Sequence, residues 1–530
     1  MPNYIVAPLR SKTGIQRDST VYDSDNYVDG VWCRFYNGAP RKMGGYRALD
    51  LGNTEIVRNM FNVPANSSID IYLGQPSSVG FINVTFDGTA TSVIDRTPVS
   101  GFTPNPNNQW CFDLFIYSPE EPPAISYLVG HVAPNVLDIT STAEGPIFYG
   151  DIKDTLPLEQ VIDTSTRPIL CSGGVVYSAP VLVAYGNDGV IQWCNPNDIT
   201  SWGNDSGSGW VANTATIANT KIIRAERNRG GASPSILFWT ATSLINASYT
   251  VDTTGDVTTA TFSSQTLADD ITLLSPNCII KYNQQFWWVG IDQFYVFNGI
   301  VQKMPNTMCT DFFFDELNYN YRSKTFGFPV PRYSELWWCY VRRVEGLPDS
   351  QQPTEPNHAV IYNIVENTWY DTPLNRSAGI PSTTFPYPVM ADSEPYVHSS
   401  GRETYPVWQH ERGEDKIIGD YTYPVPSYFQ TAYMDLFTQQ AENDVLMRVR
   451  RVEPDAIQLG EMTVEVFTRS FPQSLDVING PFPFTGSTLK IDDVNCQGRL
   501  VSCRFTSDTL GGYYQFGHVL INYNEGDKVP

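Results

Sequence analysis

From about residue 50 to residue 400, short apolar runs rich in aromatics alternate with turns that carry Gly, Asn or Asp. Four segments show the pattern best: V-L-V-A-Y-G-N-D-G-V-I-Q-W (181–193), I-L-F-W-T-A-T-S-L-I-N-A-S-Y (236–249), F-W-W-V-G-I-D-Q-F-Y-V-F-N-G (286–299), and L-W-W-C-Y-V (336–341) continuing to A-V-I-Y-N-I-V-E-N-T-W-Y (359–370). They return roughly every 50 residues, the period of a four-stranded propeller blade, and the interval has room for about six to eight blades. An irregular pair of β-sandwiches is the competing architecture. Runs such as Phe286-Trp287-Trp288-Val289 and Leu336-Trp337-Trp338-Cys339 are apolar without alternation, as expected of strands covered on both faces by neighbouring blades. Radial closure leaves few free edges, which would keep so aromatic a chain soluble. Asp311 to Tyr321 is the single helix candidate, equally open to being a loop pinned by Phe312, Phe313 and Phe314.

Beyond about residue 400 the pattern changes to strict alternation. Met462, Val464 and Val466 oppose Thr463 and Glu465, and Val501, Cys503 and Phe505 oppose Ser502 and Arg504, which predicts strands with one dry and one wet face. The sequence therefore reads as all-β: an N-terminal arm with its first strand (1–45), a β-propeller (46–400), a polar linker (401–424) and a C-terminal β-sandwich (425–530).

Composition supports a folded chain. Aromatics make up 13% and charged residues 17%, and 39 Gly and 38 Pro are spread along the whole length, as short strands joined by tight turns require. At 530 residues the chain exceeds one ordinary core. Nine cysteines without a C-x-x-C pair read as reduced packing residues. The first ten residues lack a signal-peptide core, and no run approaches about eighteen apolar residues, so the expected site of synthesis and folding is a cytosol, with no membrane insertion.

The formal charge of −22 argues against a protein wrapped tightly on nucleic acid. It does suit a wall past which DNA slides, because acidic loops repel phosphate. The charge is uneven: residues 1–50 hold seven basic positions (Arg10, Lys12, Arg17, Arg34, Arg41, Lys42, Arg47) against five Asp. A positive segment on an acidic chain is suited to docking on an acidic neighbour.

Catalytic signatures are sparse. No G-x-x-x-x-G-K or G-x-S-x-G motif occurs, and Gly207-Ser208-Gly209 reads as a flexible loop without a third glycine. Among five His, His398 with His410 and Glu411 is the nearest approach to a zinc set, weaker than a plain polar loop. Asp23 to Gly30 resembles a calcium loop but has Tyr27 where an oxygen ligand belongs. Asn187-Asp188-Gly189 followed by Trp193 only partly echoes a sialidase box. No cofactor is expected.

One stretch carries more. Asp29 to Tyr46 reads D-G-V-W-C-R-F-Y-N-G-A-P-R-K-M-G-G-Y. Val31 to Tyr36 predicts one strand, with Val31, Cys33 and Phe35 on one face and Trp32, Arg34 and Tyr36 on the other. Asn37-Gly38 then predicts a turn at positive φ. The Arg-Phe, Gly-x-Pro-x-Lys and Gly-Gly-aromatic series resembles the N-terminal signature of tail hub or nozzle proteins of short-tailed bacteriophages, the packaged-DNA stabilisation type. Further stretches are similar to that family in order: I-Q-W-C-N-P-N-D-I-T-S-W (191–202), Y-N-Q-Q-F-W-W-V-G-I-D-Q-F-Y-V-F-N-G (282–299), H-A-V-I-Y-N-I-V-E-N-T-W-Y-D (358–371), V-R-R-V-E-P-D (449–455), V-F-T-R-S-F-P (466–472) and G-R-L-V-S-C-R-F (498–505). Cys33, Cys194 and the Tyr36-Asn37 turn depart from its pattern.

The resemblance implies a non-enzymatic virion protein. It would be one subunit of a homo-hexameric ring in the tail, below the portal and adaptor rings, retaining packaged double-stranded DNA and passing it at ejection. The basic residues Arg10, Arg17, Arg34, Arg41 and Lys42 are the expected partner-docking set; the residues lining a DNA channel are not identified. Two other functions compete: a glycan-active, sialidase-like propeller enzyme, and a non-catalytic module binding a host receptor or glycan.

Overall fold

The computed structural model describes residues 5–49, 51–64, 68–85, 87–117, 125–134, 136–163, 167–206, 209–228, 234–254, 257–305, 307–381, 386–435 and 445–528. Gly207 and Ser208 of the expected flexible loop lie outside these residues.

Seven blades are present among the described residues, each built on four antiparallel strands. Their first strands are Asn59–Pro64, Gln109–Tyr117, Gly174–Ser178, Ile222–Asn228, Ile280–Tyr282, Phe326–Val330 and Arg376–Ile380. In blades 7, 1, 2, 3 and 4 these strands are neighbours in turn, as they are in blades 5, 6 and 7. Between blades 4 and 5 the ring is sealed by aromatic packing, with the Trp239 ring 5.7 Å from both Phe286 and Trp288. The non-alternating runs are buried on both faces as the sequence predicts, Glu335–Tyr340 along its whole length. Separate apolar clusters fill the spaces between blades, so each sheet is stabilised only by having two neighbours.

Blade 7 is closed by the N-terminal strand Tyr46–Leu49, inserted between Val407–His410 and Asp415–Ile418, and Tyr421–Pro424 completes the sheet. The stretch 401–424 is therefore blade, not linker. Its polar composition reflects an outer hairpin, whose strands need only one dry face.

The C-terminal β-sandwich is present, but it is not made by residues 425–530 alone. One sheet runs Cys496–Gly498, Val445–Leu459, Tyr513–Lys528, Ala39–Lys42, Cys33–Tyr36, with Ile5–Leu9 also on Tyr513–Lys528. The other runs Asp29–Val31, Ser427–Gln430, Leu500–Ser507, Met462–Arg469, Val477–Phe484. The N-terminal segment is thus woven into both sheets and is no free arm. Pairing of Ile5 with Tyr523 satisfies backbone groups that an arm would leave to water.

The predicted strand Val31 to Tyr36 is broken at Trp32, whose φ of 53° is the left-handed conformation. A bulky residue there is strained, and the surroundings hold it. Its N–H donates to Thr372 Oγ1 at 3.0 Å, its indole N–H to the Gly44 carbonyl at 3.1 Å, and its carbonyl accepts from Met43 N and Ser427 Oγ. The chain leaves one sheet at Val31 and enters the other at Cys33. Asn37 and Gly38 do form the expected turn, both at positive φ.

Smaller differences have local causes. The helix spans Thr310–Glu316 and ends at Leu317, followed by a 3-10 turn over Tyr319–Lys324. Met462, Val464 and Val466 face the core as predicted, as do Val501, Cys503 and Phe505, but Ser502 is buried too. Its hydroxyl donates to the Thr431 carbonyl and accepts from Gln430. All nine cysteines are buried and unpaired with one another.

Candidate functional site

The junction between propeller and sandwich concentrates the chain's buried charge. Arg34 is fully buried and grips two carboxylates, Glu335 side-on and Glu411 end-on. Its Nε and Nη2 donate to Glu335 at 2.8 and 3.2 Å; its Nη1 and Nη2 donate to Glu411 at 2.8 and 2.5 Å. Tyr333 lies 3.6 Å beneath the guanidinium. Tyr370 Oη and Trp337 Nε1 donate to Glu335 at 2.6 and 2.9 Å. Burial alone would lower the arginine's pKa, but the two carboxylates overcome it and hold the cation well above its ordinary value. For Glu335 burial wins, and its pKa is raised despite Arg34. Such a forked, saturated geometry is what makes a buried ion cluster tolerable.

A second clamp lies on the outer strand of blade 6, Thr368–Pro373. Arg17 donates to Asp371 through Nε at 2.8 Å and Nη2 at 3.2 Å, and to Asp29 through Nη1 at 3.0 Å. His358 Nε2 lies 2.8 Å from Asp371, while Tyr428 and Arg504 donate to Asp29 from the sandwich at 2.9 and 3.3 Å. Burial opposes ionisation of Asp371, but Arg17 and His358 outweigh it and hold the carboxylate well below its usual range. The apolar core is continuous across the same junction, joining Phe35, Met43 and Phe429 to Phe328, Trp337 and Tyr370. Propeller and sandwich form one body.

The expected docking cations are divided by this geometry. Arg34 and Lys42 are buried and bonded within the chain, Lys42 Nζ to the Gly512 carbonyl at 2.8 Å. Arg17 is committed to Asp371 and Asp29. These three cannot face a neighbour, because removing them from their partners would strand buried carboxylates or a carbonyl. Arg41 sits half-buried among the rings of Tyr36, Tyr333 and Tyr513, and Arg10 is exposed. The sequence missed Glu335 and Asp371, although a lone acid opening the apolar run E-L-W-W-C-Y is a visible signal of a buried charge partner.

The other chemical candidates are absorbed by packing. His410 accepts from Arg376 Nε at 2.9 Å and stacks on Tyr46; Glu411 is spent on Arg34; His398 bonds to Thr404. No group of three metal-ligating side chains occurs among the described residues. Asp25 pairs with Lys12 at the surface, and Asp29 belongs to the second clamp. Asn187–Gly189 is a short 3-10 turn. Glu335 and Glu411, which share Arg34, are both buried.

Neutral buried histidines set the acid response. Burial lowers the pKa of His131 to about 4 and of His358 and His410 below the ordinary value, with Arg376 and Arg34 adding to the effect at His410. The unfolded chain takes up these protons near pH 6.5, the folded chain only at lower pH, so their contribution is whole above about 6.5 and is lost as pH falls toward 4. Urea melts should show stability dropping over that interval, with His131 alone contributing up to about 3 kcal/mol. A His131→Gln variant should flatten the slope. Equal stability at pH 7 and pH 4.5 would contradict the assignment.

No family model matches this chain, and no curated protein matches it. Solved structures give distant likenesses. One is the WD40 domain of Toxoplasma gondii coronin, at 9% identity over 80% of this chain and 90% of that one, with a TM-score of 0.30. Another is the exo-β-1,3-galactanase of Phanerochaete chrysosporium, at 9% identity over 90% of this chain and 99% of that one, with a TM-score of 0.26. The seven closed sheets establish the propeller. It is an all-β protein of propeller and sandwich.

Proposed function

We propose that this chain is a structural subunit of a phage tail conduit, a hub or nozzle protein that retains packaged DNA and passes it at ejection. The observation that supports this best is the use the fold makes of Asp29 to Tyr46, the stretch that resembles that family. Trp32 turns the chain from one sandwich sheet to the other, Arg34 binds Glu335 and Glu411 in the propeller, and Tyr46 begins the strand that closes blade 7. Trp32, Arg34 and Tyr46 thus tie the two sandwich sheets and the propeller together. A wall under the load of packaged DNA needs that cohesion.

The DNA path would run between subunits, not through one. A cavity among the first strands, bordered by Arg58, Arg224 and Gly327, has a volume of about 120 Å³. It accommodates a few waters. A ring of six copies would supply the wider lumen, lined by acidic loops, and would stack on the portal and adaptor rings in the virion tail. The ribbon of blade 4, where Ser243–Thr254 and Val257–Asp269 stay paired beyond the reach of Ser235–Thr240, offers a projecting contact for a neighbour.

Negative-stain microscopy and mass photometry of the full chain with tail partners should reveal rings of six, and antibodies to the chain should label virion tails. A chain that stays monomeric with those partners and labels no virion would overturn the proposal. Duplex DNA should bind weakly at physiological salt, because the −22 charge opposes phosphate; tight binding in a filter assay would refute a repulsive lumen.

A further inference from the structure

Beside blade 7 lies a cavity of about 220 Å³ that the junction does not use. Tyr396, Tyr405 and Tyr421 contribute aromatic walls, and Asn53, His398 and Asp420 contribute polar ones. The tyrosines are not core residues. Tyr421 is 60% exposed and its neighbour on the same strand face, Tyr423, is 44% exposed. Their rings lie 6.5 Å apart and 25° from parallel, forming a ledge that leads away from the cavity. Tyr396 stands near both and edge-on to His398, with ring centroids 5.0 Å apart.

Asn53 is spent within the chain, donating to the Glu55 and Tyr405 carbonyls and accepting from Gln75, which leaves His398 and Asp420 as the polar groups open to a ligand. His398 is oriented by Thr404 Oγ1 at 2.8 Å through one ring nitrogen, and the other makes no hydrogen bond among the described residues. Asp420 has no hydrogen-bond or ion-pair partner among them. Arg402, at the rim, donates to the Gly52 carbonyl at 2.9 Å. Asp420 lines the cavity, and Glu55, Glu355 and Glu403 act on Tyr405 against Arg58, so the surroundings lean acidic and disfavour an anionic ligand. Exposed aromatic faces beside hydrogen-bonding groups of both kinds fit a ligand with an apolar face and a rim of hydroxyls.

We propose that this cavity binds one hexopyranose unit of a neutral glycan, with the next unit lying on the Tyr421–Tyr423 ledge. The site is independent of the conduit proposal: a ring-forming chain without it, or a monomer with it, would separate the two.

The test uses the full chain with methyl glycosides of glucose, galactose, mannose and N-acetylglucosamine, then the matching neutral trisaccharides, read by saturation-transfer NMR and calorimetry. At least one methyl glycoside should saturate with a Kd on the order of 1 mM, as its few non-hydrogen atoms allow. Tyr421→Ala should weaken it about tenfold. Tyr423→Ala should weaken the trisaccharide and spare the monosaccharide. Both positions are exposed, so thermal melts of the variants should match the parent. No saturable binding by any of these sugars, binding indifferent to Tyr421→Ala, or competition by tetramethylammonium in place of sugar would each overturn the proposal.

Discussion

Arg34→Met is expected to lower stability by about 3–5 kcal/mol, because it removes one cation and leaves two buried carboxylates without a partner. Methionine fills much of the volume, so lost packing explains little of the effect. The charge origin has a pH signature. Without Arg34, burial pushes the already raised pKa of Glu335 further up, so the penalty is full above that value and fades as pH falls toward the unfolded value near 4.3. Urea melts at pH 8 and pH 5 should therefore show a smaller deficit at pH 5. An equal deficit at both values would assign the loss to packing. The parent's own histidine-driven decline runs in the opposite direction, so each variant must be compared with the parent at the same pH.

Gly45→Ala should cost about 1–3 kcal/mol or more, through backbone displacement instead of charge. A Cβ at Gly45 would lie 2.3 Å from the Asp415 carbonyl oxygen and 2.4 Å from its nitrogen. Both are main-chain atoms, so no rotamer change relieves the contact. The hairpin Asp415–Ile418 and Tyr421–Pro424 would have to move off Tyr46–Leu49, with loss of the Lys416–Tyr46 pairing. Hydrogen exchange should localise the damage to blade 7 and the turn at Gly511, whose N–H donates to Asp415. Unchanged protection there, with a normal melt, would contradict the close approach. The analogous Gly38→Ala should be milder, since nothing lies within 4 Å of its added Cβ and only the positive φ is strained.

Much of the fold was readable locally. Phe286–Val289 and Leu336–Cys339 announced strands covered on both faces, and Met462-Thr463-Val464-Glu465-Val466 announced one-sided ones, because burial of a sheet face is written directly into side-chain period. The Asn37-Gly38 turn was equally plain. The misjudged segments were those whose partners are remote. Residues 1–45 look like an arm because nothing nearby pairs with them, and 401–424 looks like a linker because its strands complete a sheet begun elsewhere. Val31 to Tyr36 alternates like one strand, yet the corner at Trp32 is imposed by Thr372, Met43, Gly44 and Ser427.

The same division holds for function. An all-β, repeated, aromatic-rich chain with a positive leading segment was legible from residue order alone, because period, composition and charge are properties of neighbouring residues. What that charge does depends on contacts remote in the chain: Arg34 meets Glu335 and Glu411 across 301 and 377 residues. Tertiary packing likewise brings Tyr396 and Tyr421 together around a cavity at blade 7. Contacts at such separations are set by ring closure and by the register between distant strands, and no local pattern encodes either.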